Sequence, residues 1–183
     1  MTPAVFLDRD GVLNRPLVTD GEPRSPASLD EFVLLPMVVE ACRRLRGSGL
    51  LLVVVTNQPE VARGTLGSGA LDAMHDALRD QLGVDAVLTC PHDDGDGCGC
   101  RKPAPGLLLQ AARRLGVEMD RSVMVGDRWR DVEAGRAAGC ATVWVRHSYR
   151  EPHPAPADLT VASLYEAVPW ILEHSAATRG AMT

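Results

Sequence analysis

Two aspartates near the N-terminus have the spacing of a catalytic pair. Asp8 and Asp10 follow the apolar residues 5–7, which predict a buried strand. Side chains two apart on an extended strand point to the same face, so both carboxylates can reach one site while Arg9 points elsewhere. Two close carboxylates repel each other unless they share a proton or bind a cation. We expect magnesium, because this ion takes hard oxygen ligands and keeps several waters.

Three further polar residues come at the ends of later apolar runs. Thr56 and Asp127 close two of these runs, and Lys102 follows a third run and its loop. A carboxylate can attack a phosphoryl group and form an aspartyl-phosphate, a role that we assign to Asp8. Asp10 would be the general acid for the departing alcohol and then the general base for water.

The remaining side chains of this group would stabilise charge. Thr56 and Lys102 would bind the phosphoryl oxygens of the substrate. Asp127 would complete the magnesium site, together with Asp8 and the backbone carbonyl of Asp10. Asp131, one helical turn after Asp127, would orient it. The whole set therefore predicts a phosphoryl-transfer site.

A second group of metal ligands lies within residues 90–100. Its members are Cys90, His92, Cys98 and Cys100. Two closely spaced pairs of such ligands are typical of a tetrahedral zinc site, and four protein ligands indicate a structural ion. Because the segment leads directly into Lys102, we expect zinc to shape the loop that contacts the substrate.

Alternating apolar and amphipathic segments predict the elements that position these residues. After the first strand we expect strands at 50–55, 84–89, 122–125 and 141–145, and helices at 36–46, 68–82, 105–115, 130–138 and 165–173. Residues 14–29, rich in Pro, Gly and Asp, are expected to form a loop. The alternation predicts one α/β domain over residues 1–175, with a doubly wound, Rossmann-like parallel sheet and helices on both faces. Residues 176–183 are expected to be a disordered tail.

Composition excludes several classes of protein. A chain of 183 residues, 45% hydrophobic and 23% charged, is typical of a one-domain globular protein. A net charge of -5 with scattered basic residues does not indicate a nucleic-acid partner. Without a membrane-length apolar run or an N-terminal leader, we expect a cytoplasmic protein with no membrane partner. Its five cysteines are then expected to be thiols or metal ligands.

Four short motifs resemble those of the haloacid dehalogenase superfamily of phosphatases. They are Asp-Arg-Asp-Gly at 8–11, Thr-Asn-Gln at 56–58, Arg-Lys-Pro at 101–103 and Gly-Asp-Arg at 126–128. The resemblance spans about residues 4–147. It is closest to a subgroup of small enzymes, without a large cap domain, that act on heptose 1,7-bisphosphate or on histidinol phosphate.

This resemblance implies a magnesium-dependent phosphatase whose partner is a small phosphate ester. It favours removal of the C7 phosphate of D-glycero-D-manno-heptose 1,7-bisphosphate, with histidinol phosphate or another sugar phosphate as the alternative, and we expect a monomer. The implied substrate contacts are Asn14, Asn57, Gln58, Arg101 and Arg128. Arg101 and Arg128 are best placed to meet the second phosphate of a bisphosphate. Pro59 and Glu60 replace the Ser-Gly usual in the heptose enzymes, which adds a negative charge near that phosphate.

Two interpretations without catalysis stay open. A receiver domain also places an aspartate at a strand end with a threonine and a lysine, but its phosphorylated aspartate lies on a middle strand of the chain. A phospho-ligand-binding protein would not need both Asp8 and Asp10. Magnesium-dependent release of phosphate from a simple ester would separate these interpretations from an enzyme.

Overall fold

A parallel sheet of six strands forms the centre of the computed structural model, which describes residues 1–176. The strands are β1 (Ala4–Leu7), β2 (Leu17–Thr19), β3 (Glu22–Arg24), β4 (Leu51–Asn57), β5 (Ala86–Cys90), β6 (Val123–Gly126), β7 (Ala141–Val145) and β8 (Leu159–Val161). In the large sheet the order is β5-β4-β1-β6-β7-β8, and β2 and β3 form a separate antiparallel hairpin.

Helices cover both faces of this sheet. They are α1 (Val38–Gly47), α2 (Pro59–Ala62), α3 (Ser68–Leu82), α4 (Gly106–Leu115), α5 (Trp129–Ala138) and α6 (Leu164–Ala176). One core cluster contains apolar residues of α1, α3 and α6, and a second contains those of α4 and α5. The predicted doubly wound α/β fold is therefore confirmed.

Strand β1 lies at the middle of the sheet, and its four side chains are completely buried. Val5 and Leu7 belong to one core cluster, whereas Ala4 and Phe6 belong to the other, as the alternation of a strand requires. Leu7 is paired with one residue of β4 and one of β6. The residues that follow these three strands therefore meet at one edge of the sheet, where ligands bind in such folds.

The structure differs from the sequence prediction mainly in short elements. The predicted loop at 14–29 contains the β2–β3 hairpin, and β8 and α2 were not predicted, because three or four residues are too few to show a periodicity. The last helix continues to Ala176, so the predicted tail begins at its final residue, and 177–183 lie outside the described residues. Among the described helices, none has the length and apolarity needed to span a membrane.

Candidate active site

A cleft opens at the carboxyl ends of β1, β4 and β6. Eight of the predicted residues line it: Asp8, Asp10, Thr56, Asn57, Arg101, Lys102, Asp127 and Arg128. Two others, Asn14 and Gln58, do not. The structure thus brings together residues that are far apart in the sequence, as expected for the ends of parallel strands.

Lys102 is buried between two carboxylates at the base of this cleft. Its Nζ lies 2.7 Å from Asp8 Oδ1 and 2.6 Å from Asp131 Oδ1, and it donates to the carbonyl of Val55 at 2.8 Å. Burial lowers the pKa of Lys102, but the carboxylates of Asp131 and Asp8 more than offset this and raise it. The lysine therefore carries a fixed positive charge beside Asp8.

Asp8 lies directly after β1, and its backbone N–H donates to the carbonyl of Val125 at 2.9 Å. Burial raises the pKa of the Asp8 carboxyl to about 6, although Lys102 acts in the opposite direction. A nucleophilic carboxylate must be ionised, and a bound cation would favour that form. The geometry therefore suits a carboxylate that becomes a nucleophile once a metal ion is present.

Asp8, Asp127 and Asp131 form a cluster of three buried carboxylates, which we call the carboxylate cluster. One oxygen of each lies within 4.8 Å of the others. Asp127 Oδ2 accepts a hydrogen bond from the Tyr149 hydroxyl at 2.8 Å, but its Oδ1 is buried and has no partner. Burial raises the pKa of Asp127 well above its usual value, and the charges of Asp8 and Asp131 add to this effect. Hard oxygen donors with an unpaired buried atom fit a magnesium ion.

The side chain of Asp10 is directed to a buried arginine, which corrects one expectation. Arg9 does not point away from Asp10: its Nε and Nη2 donate to the Asp10 carboxylate at 3.2 and 2.9 Å. The reason is that β1 ends at Leu7, so the alternation of a strand does not extend to these residues. Burial would raise the pKa of Asp10, but the charge and hydrogen bonds of Arg9 outweigh it, and the pKa is lowered.

Asn14 and Gln58, predicted as substrate contacts, contact this carboxylate and do not line the cleft. Both are completely buried, and their side-chain amides donate to Asp10 at 2.8 and 3.0 Å. Gln58 also accepts from Arg9 at 2.9 Å and donates to the Thr56 hydroxyl at 3.0 Å. The geometry therefore favours a role for both residues in holding Asp10 in place over a direct contact with a substrate.

Thr56 and Asn57, at the end of β4, serve two purposes. The Thr56 hydroxyl accepts from the buried Gln58 amide, which leaves its own proton for an oxygen in the cleft. Asn57 is paired in both directions with the backbone of Lys102, through two hydrogen bonds of 3.1 Å. This pairing fastens the loop that carries the lysine to the end of the central sheet.

The arginines predicted for a second phosphate lie on the rim of the cleft, each with a carboxylate partner. Arg101 Nε donates to Asp94 Oδ1 at 2.8 Å, and Arg128 Nε donates to Glu151 Oε2 at 2.8 Å. Arg24, from the β2–β3 hairpin, also lines the cleft. A phosphate that binds here would compete with these carboxylates for the arginines.

The predicted zinc ligands come together beside the cleft, and we call them the Cys/His cluster. They are Cys90, His92, Cys98 and Cys100. Five of the six distances between their ligand atoms lie between 3.0 and 3.6 Å, and all six are within 4.8 Å. In a tetrahedral site with Zn–S bonds of about 2.3 Å, sulfur atoms are about 3.7 Å apart. Both the donor set and its spacing therefore fit zinc.

Sequence reasoning missed several residues of the site, among them Arg24, Ser25, Asp94, Tyr149 and Glu151. Ser25 donates to Asp10 Oδ2 at 2.9 Å, and the positions or contacts of the others are given above. None of them belongs to one of the four short motifs. For Tyr149 and Glu151 the available signal was their position in the loop after β7, since loops after parallel strands tend to build sites.

Comparisons with known proteins agree with this geometry. A model of the haloacid dehalogenase-like hydrolase family matches residues 14–139. The D-glycero-beta-D-manno-heptose-1,7-bisphosphate 7-phosphatase of Bordetella bronchiseptica is 41% identical over 142 residues, covering 75% of this chain and 76% of that protein. The enzyme of the same name from Pseudomonas aeruginosa is 40% identical over 147 residues, covering 78% and 80%.

A solved structure extends this similarity to three dimensions. The D,D-heptose 1,7-bisphosphate phosphatase of B. bronchiseptica, complexed with magnesium and phosphate, has a TM-score of 0.82 and 34% identity to this chain. The match covers 94% of this chain and 99% of that one. The similarity therefore includes nearly the whole of the α/β unit described above.

Proposed function

The chain belongs to the haloacid dehalogenase-like hydrolase family and is a phosphatase, and we propose that it removes the C7 phosphate of D-glycero-beta-D-manno-heptose 1,7-bisphosphate. Family membership confirms the enzymatic prediction over the receiver-like and ligand-binding alternatives. The observation that carries the proposal is the position of Asp8, which directly follows a completely buried strand, is paired with Lys102 and forms a cluster with two further carboxylates. The names of the relatives support the choice of substrate.

In the proposed reaction, Asp8 attacks the phosphorus of the C7 phosphate, and the bond from phosphorus to the sugar oxygen breaks. Lys102 and the Thr56 hydroxyl stabilise the charge on the other phosphoryl oxygens. Asp10 gives a proton to the departing alcohol, then removes one from the water that hydrolyses the aspartyl-phosphate. The pair with Arg9 favours the ionised form of Asp10 needed for the second step. We therefore expect substrate binding to weaken this pair when Asp10 acts as the acid.

Magnesium is the proposed cofactor of the carboxylate cluster. Asp8, Asp127 and the backbone carbonyl of Asp10 would hold the ion, with Asp131 beside it. Bound there, it would neutralise charge on the transferring phosphoryl group. The unpaired Oδ1 of Asp127 supports this assignment, because a buried carboxylate oxygen without a partner is costly until a ligand or ion meets it.

Zinc is the proposed ion of the Cys/His cluster, where it would have a structural role. The cluster is filled by protein ligands, so it offers no open position for a substrate. Arg101 follows Cys100 directly, and its Nη1 donates to the carbonyl of His92 at 3.1 Å. Zinc would therefore fix the segment that carries Arg101 and Lys102.

The second phosphate of the substrate is proposed to meet the rim of the cleft. Arg24, Arg101 and Arg128 supply positive charge there, and phosphate oxygens suit the planar fork of arginine. Glu60 also lines the cleft, with one buried carboxylate oxygen that has no partner. This carboxylate repels a phosphate but can accept from a sugar hydroxyl. A monomer and a cytoplasmic location stay predictions from the sequence.

The substrate proposal is tested by measuring phosphate release from the heptose 1,7-bisphosphate, the heptose 7-phosphate and histidinol phosphate under the same conditions. We expect the highest kcat/KM for the bisphosphate and the loss of only one phosphate, since only one can reach Asp8. A higher kcat/KM for histidinol phosphate would favour the alternative substrate. No release from any of the three would contradict the choice of substrate class.

A further inference from the structure

One irregular segment, residues 146–153, contacts both loops of the proposed magnesium site, the loop after β1 and the loop after β6. We call it the post-β7 loop. Tyr149 donates its hydroxyl to Asp127 Oδ2 at 2.8 Å. Its ring is stacked on His147, with 5.1 Å between ring centroids and 9° between planes. A ring nitrogen of His147 is in turn 2.9 Å from the carbonyl of Gly11, the residue after Asp10. The two aromatic rings therefore connect the two loops that carry the carboxylates.

The hydrogen bond from Tyr149 divides the Asp127 carboxylate into two unlike oxygens. Oδ2 has a partner, whereas Oδ1 is buried without one. The indole N–H of Trp144 donates to the backbone carbonyl of Asp127 at 3.0 Å, which fixes the main chain at the same residue. Oδ1 is therefore the oxygen of Asp127 that has no hydrogen bond to lose when a cation binds.

Packing around Gly11 keeps this carboxylate from turning. Gly11 has φ of +90°, and a side chain there would meet the Asp127 carboxylate and, at 3.0 Å, the Tyr149 hydroxyl. Glycine thus lets the turn after Asp10 approach so closely that Asp127 is enclosed between the turn and the tyrosine. The carboxylate therefore has close neighbours on both sides.

We propose that Tyr149 is a positioning residue that makes Asp127 a ligand through one oxygen only and thereby selects magnesium over calcium. Magnesium requires six ligands in a near-ideal octahedron at about 2.0–2.1 Å, which single carboxylate oxygens and waters provide. Calcium takes six to eight oxygens at about 2.3–2.6 Å and readily uses both oxygens of one carboxylate. Holding Oδ2 on the tyrosine removes that second oxygen from calcium. The inference rests on the proposed magnesium site.

Calorimetric titration of the full-length protein with magnesium chloride and with calcium chloride tests this inference, without any substrate. Magnesium is first removed with a weak chelator that leaves zinc bound. For Tyr149→Phe we expect the ratio of the calcium Kd to the magnesium Kd to fall by about 10-fold, the lower end of the range for outer hydrogen-bond partners of metal ligands. The matched control is Tyr165→Phe on α6, where we expect no change of the ratio.

A second variant and a second measurement complete the test. His147→Leu removes the ring stacked on Tyr149 and should shift the ratio in the same direction, by less. In assays with magnesium, calcium should inhibit Tyr149→Phe at a lower concentration than it inhibits the wild type. An unchanged ratio in both variants, with an active wild type that binds magnesium, would overturn this inference alone. A wild type that neither binds magnesium nor releases phosphate would overturn the proposed function as well.

Discussion

The two groups of candidate metal ligands in this protein are built in opposite ways. The Cys/His cluster comes from one segment, residues 90–100, whereas the carboxylate cluster joins Asp8 to Asp127 and Asp131, which lie far along the chain from it. In the first, four protein ligands would close the coordination of a tetrahedral ion. In the second, three carboxylates would leave positions for water and phosphate, and Lys102 is paired with two of them. The comparison suits the proposed roles, a structural ion for the local cluster and a catalytic ion for the cluster that the fold assembles.

Asp8→Asn gives the largest expected effect and tests whether the carboxylate cluster takes part in catalysis or only stabilises the fold. Replacing the nucleophile by a nearly isosteric amide should remove more than about 99% of phosphate release, while the zinc content stays unchanged. Phosphate release measures the loss of activity, and thermal unfolding shows whether the fold is intact. Asp76→Asn, on the exposed part of α3, is the control and should keep full activity. More than a few per cent of residual turnover in Asp8→Asn would show that Asp8 is not the nucleophile.

Mild chelation should separate the two clusters directly. A weak chelator should abolish activity, and added magnesium should restore it, because few protein ligands hold that ion. The unfolding temperature should change little, and metal analysis should still find about one equivalent of zinc per chain. Loss of zinc together with magnesium, or unfolding during the treatment, would contradict the division into an open and a closed site.

Cys100→Ser should affect stability first and activity second. Loss of one ligand should reduce bound zinc well below one equivalent and lower the unfolding temperature, because metal binding contributes to folding. Activity should fall partly, since Lys102 lies two residues further on. Cys140→Ser, a buried cysteine outside the cluster, is the control for zinc content and should keep the ion. Full zinc occupancy in Cys100→Ser would remove this cysteine from the ligand set.

Arg101→Ala should give the smallest effect. It tests whether the arginine that follows the Cys/His cluster contacts the second phosphate of the substrate. Because Arg101 already interacts with Asp94, we expect a decrease of about 10-fold in kcat/KM for the bisphosphate, where a full charged contact would give more. The heptose 7-phosphate should be affected far less. Arg63→Ala, which loses a contact to Asp93 outside the lining of the cleft, is the control and should leave kcat/KM for both substrates unchanged. Equal decreases for both substrates would place Arg101 at the transferred phosphate.

The sequence predicted the long elements and the local motifs because their signals are contained in short windows. Helix α3 and strand β7 occur as predicted, since each has a clear apolar pattern. The four members of the Cys/His cluster could be predicted as one group from their spacing alone. The carboxylate cluster was predicted because parallel strand ends meet at one edge, a rule that needs only the fold class.

Contacts that depend on how loops turn could not be predicted in this way. The pair between Arg9 and Asp10 forms because the chain leaves the strand after Leu7, which no pattern of residue types indicates. The positions of Asn14 and Gln58 in the sequence predict substrate contacts but do not show which way the side-chain amides face, and in the structure both donate to Asp10. Tyr149 reaches Asp127 from a segment whose path is set by tertiary packing.

The position of β1 in the sheet has a consequence for how the protein is made. Val5 pairs with Leu52 of β4 on one side and with Val123 of β6 on the other. In a growing chain on the ribosome, β1 can therefore pair with β4 early. Its hydrogen bonds to β6 can form only after β6 has been synthesised. Domains generally fold as units, and contacts between distant residues slow folding. We expect nascent chains that end before β6 to expose an unpaired apolar strand and to depend on chaperones, although they already contain Asp8 and Asp10.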